Sequence, residues 1–216
     1  MVKHQVRLTG LTIVVAAVPL ILGCMAHTSI HSRVSPESAG KHFRVLFVDA
    51  LFADLGLQEA CEEKIREELS VNGVDCVLAH EAIFPGQALS DAEYAHLFDS
   101  LGVDALLLVC PGTAGTSESY IPQSTTSKTD GSVTPDYTGG YRFSARTRTT
   151  TSGGYTVDKP WATFSAELYD VSSGKMCWYA TGNTGGNAFA NFTTVVRSMG
   201  GKVVVKMKQD RVLAPK

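Results

Sequence analysis

The sequence predicts one α/β (α+β) domain: a mixed sheet flanked by helices, in the order βαβαβ, an inserted β-hairpin, ββ and α. Three observations predict it. Apolar runs of strand length alternate with amphipathic helical segments from about residue 43. A two-armed alternating segment surrounds a turn at residues 161–182, and an amphipathic helix follows it. Strands that alternate with helices pair in parallel through right-handed crossovers, whereas the arms of a hairpin pair antiparallel.

The hairpin is the clearest element. In WATFSAELYDVSSGKMCWYATG, apolar and polar residues alternate along both arms, which places each set on one face of a sheet. Asp170 suits the first position of a tight turn, and Gly174 supplies the positive φ that closes such a turn with a bulge. The apolar face therefore covers a core that the preceding segments supply.

Those segments follow a regular order. The predicted elements are strand 44–51, helix 56–71, strand 74–79, a helix from Ser90 to Gly102 and strand 105–110. Ser90 and Glu93 form a capping box at the start of the second helix. The strands are apolar throughout, as expected for strands with both faces covered.

The final predicted helix spans residues 191–210. Its apolar residues recur at a helical period. Gly200-Gly201 and the valines at 203–205 have low helix propensity and so argue against a helix.

Residues 113–160 differ in character, because Thr, Ser and Gly dominate them. Loops of this length inside a domain are uncommon and usually functional or disordered. Partial alternation predicts an extended hairpin or two exposed strands, with a loose tip at about 123–138.

The first 23 residues predict a cleaved signal peptide. Basic residues precede a mostly apolar run at 8–22, which is too short for a membrane span. The run ends in Ile21-Leu22-Gly23-Cys24, which resembles the lipobox of bacterial lipoproteins, although Leu22 is bulkier than the usual residue.

The lipobox resemblance implies that Cys24 carries diacylglycerol and acyl chains such as palmitate, and attaches the protein to a membrane. Met25 stands where Asp would retain a lipoprotein at the inner membrane, so the resemblance implies an outer-membrane anchor with the domain in the periplasm. Residues 24–41 are polar and lack periodicity, which predicts a linker between the anchor and a domain at 42–213.

Composition excludes some functions and leaves others open. The net charge is −2, so nothing indicates binding to nucleic acid. Four cysteines remain after Cys24, and none has the spacing of a zinc or redox motif. They are either buried apolar residues or members of disulfides in any of three connectivities.

No motif predicts catalysis, a cofactor or a metal. Ser172-x-x-Lys175 matches a penicillin-recognising pattern, but it falls in a predicted turn rather than at a helix start. Gly182-Asn-Thr-Gly-Gly186 follows a hairpin and lacks the context of a dinucleotide site, which predicts a turn. The sequence therefore predicts a protein that is not an enzyme.

The inserted segment holds the candidate partner-binding residues. Arg142, Arg146 and Arg148 alternate with other residues and so share one strand face, while Tyr141 and Phe143 fall on the other. Guanidinium groups match carboxylates, which favours an acidic protein surface or an anionic glycan as the partner. The alternative interpretation is a charged face that keeps the strand soluble.

Three blocks carry a wider resemblance: RVLFVDALF, DALLLV, and LYDVSSGKMCWYATG before a terminal helix. They resemble a group of envelope lipoproteins that includes the TolB amino-terminal domain, the curli-secretion lipoprotein and the lipoprotein activators of penicillin-binding proteins. The resemblance covers about residues 43–212 apart from the insertion, and it implies a fold more than a function.

Two functional classes follow. The first is a non-catalytic adaptor or assembly factor of the cell envelope, which binds a protein partner. The alternative is an accessory subunit of an oligomeric secretion or surface-assembly complex.

Overall fold

The computed structural model of the protein describes residues 26–135 and 141–215 and is built around a six-stranded mixed sheet. The strands are β1 Ala26–Val34, β2 Val45–Ala50, β3 Asp75–Leu78, β4 Ala105–Ile121, β5 Ser124–Pro135, β6 Tyr141–Ser152, β7 Tyr155–Asp170 and β8 Lys175–Gly186. The helices are α1 Leu55–Val71, α2 Ala79–Ala82, α3 Asp91–Leu101 and α4 Phe192–Gln209, and a short 3-10 turn covers Pro36–Ser38.

The sheet has the order β1-β8-β7-β4-β2-β3. Strand β2 pairs in parallel with β3 and β4, whereas β4–β7, β7–β8 and β8–β1 are antiparallel. The predicted mixed sheet, with a parallel half joined to an antiparallel hairpin, is therefore confirmed. Strands β5 and β6 form a separate two-stranded sheet.

Alternation along the strands divides the core between the two sheet faces. Leu46 and Val48 of β2 belong to the larger cluster, which holds the buried residues of α1 and α4. Phe47 belongs to the smaller cluster with Phe98 of α3. The rings of Phe47 and Phe98 lie 5.1 Å apart between centroids.

Helix α4 forms in spite of its glycines, and Gly200 shows why one of them is there. A Cβ atom at Gly200 would lie 2.9 Å from the carbonyl oxygen of Cys61 in α1. The two helices therefore cross at a distance that only glycine permits. Asn191 caps the helix by accepting from the backbone N–H of Thr194 at 2.8 Å.

The predicted turn between β7 and β8 is present. The backbone N–H of Gly174 donates to the Asp170 carbonyl at 2.8 Å, and Gly174 has φ of +65°. Burial alone would raise the pKa of Asp170, but hydrogen bonds from Lys41, Ser172 and Ser173 outweigh burial and hold this pKa well below its usual range.

The expected linker at 24–41 is wrong for most of its length. Residues Ala26–Val34 form β1, which pairs with β8 at the edge of the sheet. Its inward positions include Thr28 and Ser32, whose hydroxyls bond Thr184, Ser198 and Asp210. Because these inward residues are polar, the sequence of β1 shows no alternation of apolar and polar residues, and the strand could not be recognised.

Two strands also extend beyond the predicted bounds. Strand β4 continues from the predicted end at residue 110 to Ile121, and β8 continues to Gly186, where a turn was expected. A Cβ atom at Gly182 would lie 2.6 Å from the Phe164 ring, so this glycine allows close packing inside the sheet. Gly is depleted in strands, and both segments lack the apolar alternation that marks a half-buried strand, which explains both errors.

The four cysteines in the described part of the chain are free thiols. Cys61 and Cys177 are buried, and Cys76 and Cys110 are partly buried. Of the two alternatives that the sequence left open, the structure shows unpaired cysteines in the core and at its margin.

Candidate functional site

The longest feature outside the core is a two-stranded arm, residues 116–160. Its stem continues the β4–β7 ladder from Thr116↔Pro160 to Ile121↔Tyr155. Its distal hairpin is the β5–β6 ladder, from Ser124↔Ser152 to Pro135↔Tyr141. At about 3.3 Å per residue, the stem extends roughly 20 Å and the distal hairpin roughly 40 Å.

A glycine joint connects stem and distal hairpin. Gly153 and Gly154 have φ of +86° and +79°, which other residues rarely adopt. A Cβ atom at Gly153 would lie 2.2 Å from the carbonyl oxygen of Pro122, and Gly154 N–H donates to the Ile121 carbonyl at 2.7 Å. The joint fixes where one sheet ends and the other begins.

The register gives the distal hairpin two different faces. One face carries charge: Lys128 pairs with Arg148, and Asp130 pairs with Arg146. The other face carries hydroxyl pairs, such as Ser127 with Thr149, whose oxygens lie 3.1 Å apart, and Thr129 with Thr147, at 2.9 Å. We call these the cationic face and the hydroxyl face.

The predicted partner-binding residues lie in β6. Arg146 and Arg148 are exposed on the cationic face, and no salt bridge holds either of them to another described residue. Tyr141, Arg142 and Phe143 form the start of β6, where their backbone pairs with residues 133–135 of β5. Arg146 and Arg148 share a face in this register, while the face of Arg142 and the binding role of all the candidate residues stay predictions. Cys24 lies outside the described residues.

The arm projects from the end of the sheet where the described chain begins. Ala26 pairs with Gly186, and Gly185 pairs with both His27 and Trp161. The stem starts at the next residue, Pro160. This end of the sheet also carries Phe189, which is 83% exposed in the connection between β8 and α4.

A second candidate site is a cavity of about 470 Å³ at the carboxyl end of β2. In sheets of this kind, ligands bind where the strand order reverses, and β2 is followed by β3 on one side and β4 on the other. Its lining includes Asp49, His80 and Tyr94, with apolar residues such as Phe52 and Phe84. Sequence analysis did not find this site.

Glu62 of α1 bonds two of the residues that line this cavity, Gln58 and His80. Its side chain is fully buried. One carboxylate oxygen accepts from Ala50 N–H and Gln58 Nε2, both at 2.9 Å. The other lies 2.7 Å from His80 Nδ1. Its spacing of three residues before Ile65 places it on the buried stripe, which was the available signal.

Near the cavity, three side chains could bind a metal ion, but two of them already form ion pairs with an arginine. Oxygen and nitrogen atoms of Glu63, His80 and Glu81 lie within 4.8 Å of one another. Arg66 forms ion pairs with Glu81 and, at 3.8 Å, with Glu63. The guanidinium therefore supplies the positive charge that a metal ion would bring.

The cavity gives a testable pH dependence. Burial, and then the charge of Glu62, raise the pKa of Asp49 to about 6. A raised carboxyl pKa means that ionisation costs stability, so the cost is absent below about pH 4 and complete above pH 6. We expect Asp49→Asn to raise the free energy of unfolding at pH 8 by up to about 2 kcal/mol.

Urea unfolding at pH 8 and at pH 4 measures this effect, with Asp158→Asn on an exposed position as the control. A gain of equal size at both pH values would contradict the assignment of the effect to the Asp49 charge.

The rejected motifs lie in structural positions. The Ser172 hydroxyl donates to Asp170 Oδ1 at 2.7 Å within the β7–β8 turn. Lys175 Nζ lies 2.7 Å from Glu37 rather than near Ser172. Within the described ranges, none of the helices has the length and apolar character of a membrane span.

Comparisons with known proteins give distant similarities. No known protein family matches the chain, and no curated protein matches its sequence. A PelC dodecamer from Paraburkholderia phytofirmans is 15% identical, with a TM-score of 0.47 over 87% of this chain and 99% of that one. A single-residue variant of this dodecamer, in space group C2, is also 15% identical, with a TM-score of 0.48 over 88% of this chain and all of that one (100%).

A third structure, a PDZ domain protein from Parabacteroides distasonis, is 8% identical, with a TM-score of 0.37 over 85% of this chain and 36% of that one. At identities and TM-scores this low, neither the function nor the partners of these proteins can be assigned to this chain. The resemblance to the TolB group stays a prediction.

Proposed function

We propose that this protein is a lipid-anchored component of the bacterial cell envelope that acts as a non-catalytic adaptor or assembly factor. The anchor is Cys24, at the outer membrane, and the domain faces the periplasm. The observation that carries the proposal is the arm, because its distal hairpin pairs only with itself and has no apolar face in its described side chains.

An isolated two-stranded hairpin is marginally stable in water. A distal hairpin of twelve residue pairs is therefore expected to be held by contact with another surface. Serine, threonine and arginine side chains supply adaptable hydrogen bonds for such contact. The arm is thus the element that we assign to partner binding.

A second candidate function is an accessory subunit of an oligomeric secretion or surface-assembly complex. The observation that favours it is the six-stranded sheet itself, which ends in the edge strands β1 and β3. Unpaired strand edges can accept a strand from another chain.

Crosslinking in intact cells distinguishes these candidates. Removal of residues 124–152 leaves Pro122, Gln123, Gly153 and Gly154 as a four-residue loop and retains the whole core. We expect the tagged wild-type protein to recover a different protein, the shortened variant to lose it, and the melting temperatures to agree within a few degrees. Recovery of only a homo-oligomer would favour the second candidate. An unchanged partner set in the shortened variant would contradict the role of the arm.

A further inference from the structure

The position of the proposed anchor restricts how the arm lies. Strand β1 begins at Ala26, so only Met25 separates the ordered sheet from Cys24. Two residues span at most about 7 Å. This inference rests on the proposed lipidation of Cys24, which would hold this end of the sheet at the bilayer surface.

The stem is longer than the two residues, 24 and 25, that would connect the sheet to the bilayer. It extends roughly 20 Å beyond the level of Trp161, in the direction from which β1 enters the sheet. Strands that stood upright on the membrane would push the stem into the bilayer. Apart from Ala145, the described side chains of the distal hairpin end in a hydroxyl or a charged group, and hydrocarbon does not accommodate them. An arm that lies along the membrane surface avoids this cost.

The charges on the two faces of the distal hairpin determine which face contacts the lipid. The cationic face presents Lys128, Arg146 and Arg148 against one carboxylate, Asp130. The side chains of Lys128 and Asp130 are 79% and 77% exposed. The hydroxyl face carries no charge among its described side chains. Anionic phospholipid attracts basic residues near its surface, each by about fivefold in affinity.

We propose that the cationic face of the distal hairpin rests on anionic phospholipid headgroups. The partner surface is an anionic bilayer rather than an acidic protein, and the hydroxyl face then points away from the membrane, available to a protein partner. Exposed Trp161 and Phe189 lie at the same end of the sheet, where aromatic side chains suit the membrane interface.

Vesicle flotation tests this proposal with the chain from residue 25, without lipid. This chain retains every residue that the structure describes, including Ile30 and Val34 of β1, which pack against the core. Vesicles contain phosphatidylethanolamine and phosphatidylglycerol at 3:1, or phosphatidylcholine alone. We expect binding to the anionic vesicles only, and weaker binding at high salt.

The test variant is Lys128→Ser, Arg146→Ser and Arg148→Ser together. We expect it to bind anionic vesicles at least tenfold more weakly. The matched control, Lys202→Ser, Lys208→Ser and Arg211→Asn, removes the same charge from exposed positions of α4 and the segment after it. Equal losses in both variants, or no loss in the test variant, would overturn the proposal.

Absence of vesicle binding by the wild type would also overturn it, and would favour an acidic protein if the test variant still lost its crosslinked partner. Mass spectrometry of the Cys24 peptide from cells separates the two proposals. Unmodified Cys24 refutes the anchor, whereas flotation reports on the arm without lipid.

Discussion

Replacing Glu62 with alanine is expected to lower the free energy of unfolding by about 3 to 5 kcal/mol. The fully buried carboxylate accepts hydrogen bonds from the end of β2, from α1 and from His80. Its removal leaves these donors inside the protein without acceptors, each at a cost of about 1 to 3 kcal/mol. Urea unfolding at neutral pH measures the loss.

Glu63 provides the matched control, because it is the next residue and its carboxylate is partly exposed beside Arg66. We expect Glu63→Ala to change stability by less than about 1 kcal/mol. Glu62→Gln retains one acceptor oxygen and should fall between the two. Similar losses for Glu62→Ala and Glu63→Ala would refute the buried network.

Substitution of the two adjacent glycines of α4 is expected to change stability in opposite directions. Gly200→Ala should destabilise by about 1 to 3 kcal/mol, because its Cβ would lie 2.9 Å from the Cys61 carbonyl oxygen and 3.1 Å from Ile65 Cγ1. The backbone of α1 cannot yield without separating the helices. Gly200→Val should be worse, because it adds two methyl groups at the same contact.

Gly201→Ala should instead stabilise by up to about 1 kcal/mol, because alanine is the better helix former. The nearest atom to its Cβ would be Lys64 Cε at 3.2 Å, the end of a flexible side chain. Thermal and urea unfolding of both variants tests the pair. Changes of the same sign would show that the α1–α4 crossing can adjust.

The parallel half and the hairpin could be predicted because the parallel strands are continuous apolar runs, while the helices and the hairpin arms repeat apolar residues at clear periods. Strand β1 could not, since Thr28 and Ser32 face inward and their hydroxyls bond Thr184 and Asp210. The arm was predicted as extended, but the loose tip predicted at about 123–138 is wrong for Ser124–Pro135, which form β5. Gly, Ser and Thr in this segment give no apolar alternation. The partners of Glu62 come from separate elements, so only tertiary structure identifies them.

If the domain faces the periplasm, as proposed, its free thiols lie in an oxidising compartment. Burial, and then the charge of Glu62, raise the pKa of the Cys61 thiol to about 12, which leaves almost no thiolate for exchange with disulfide catalysts. Burial thus protects the Cys61 thiol from oxidation, and this protection lasts only while α1 remains packed against the sheet. A brief opening would let Cys61 oxidise, and a wrong pairing would convert a reversible fluctuation into covalent damage.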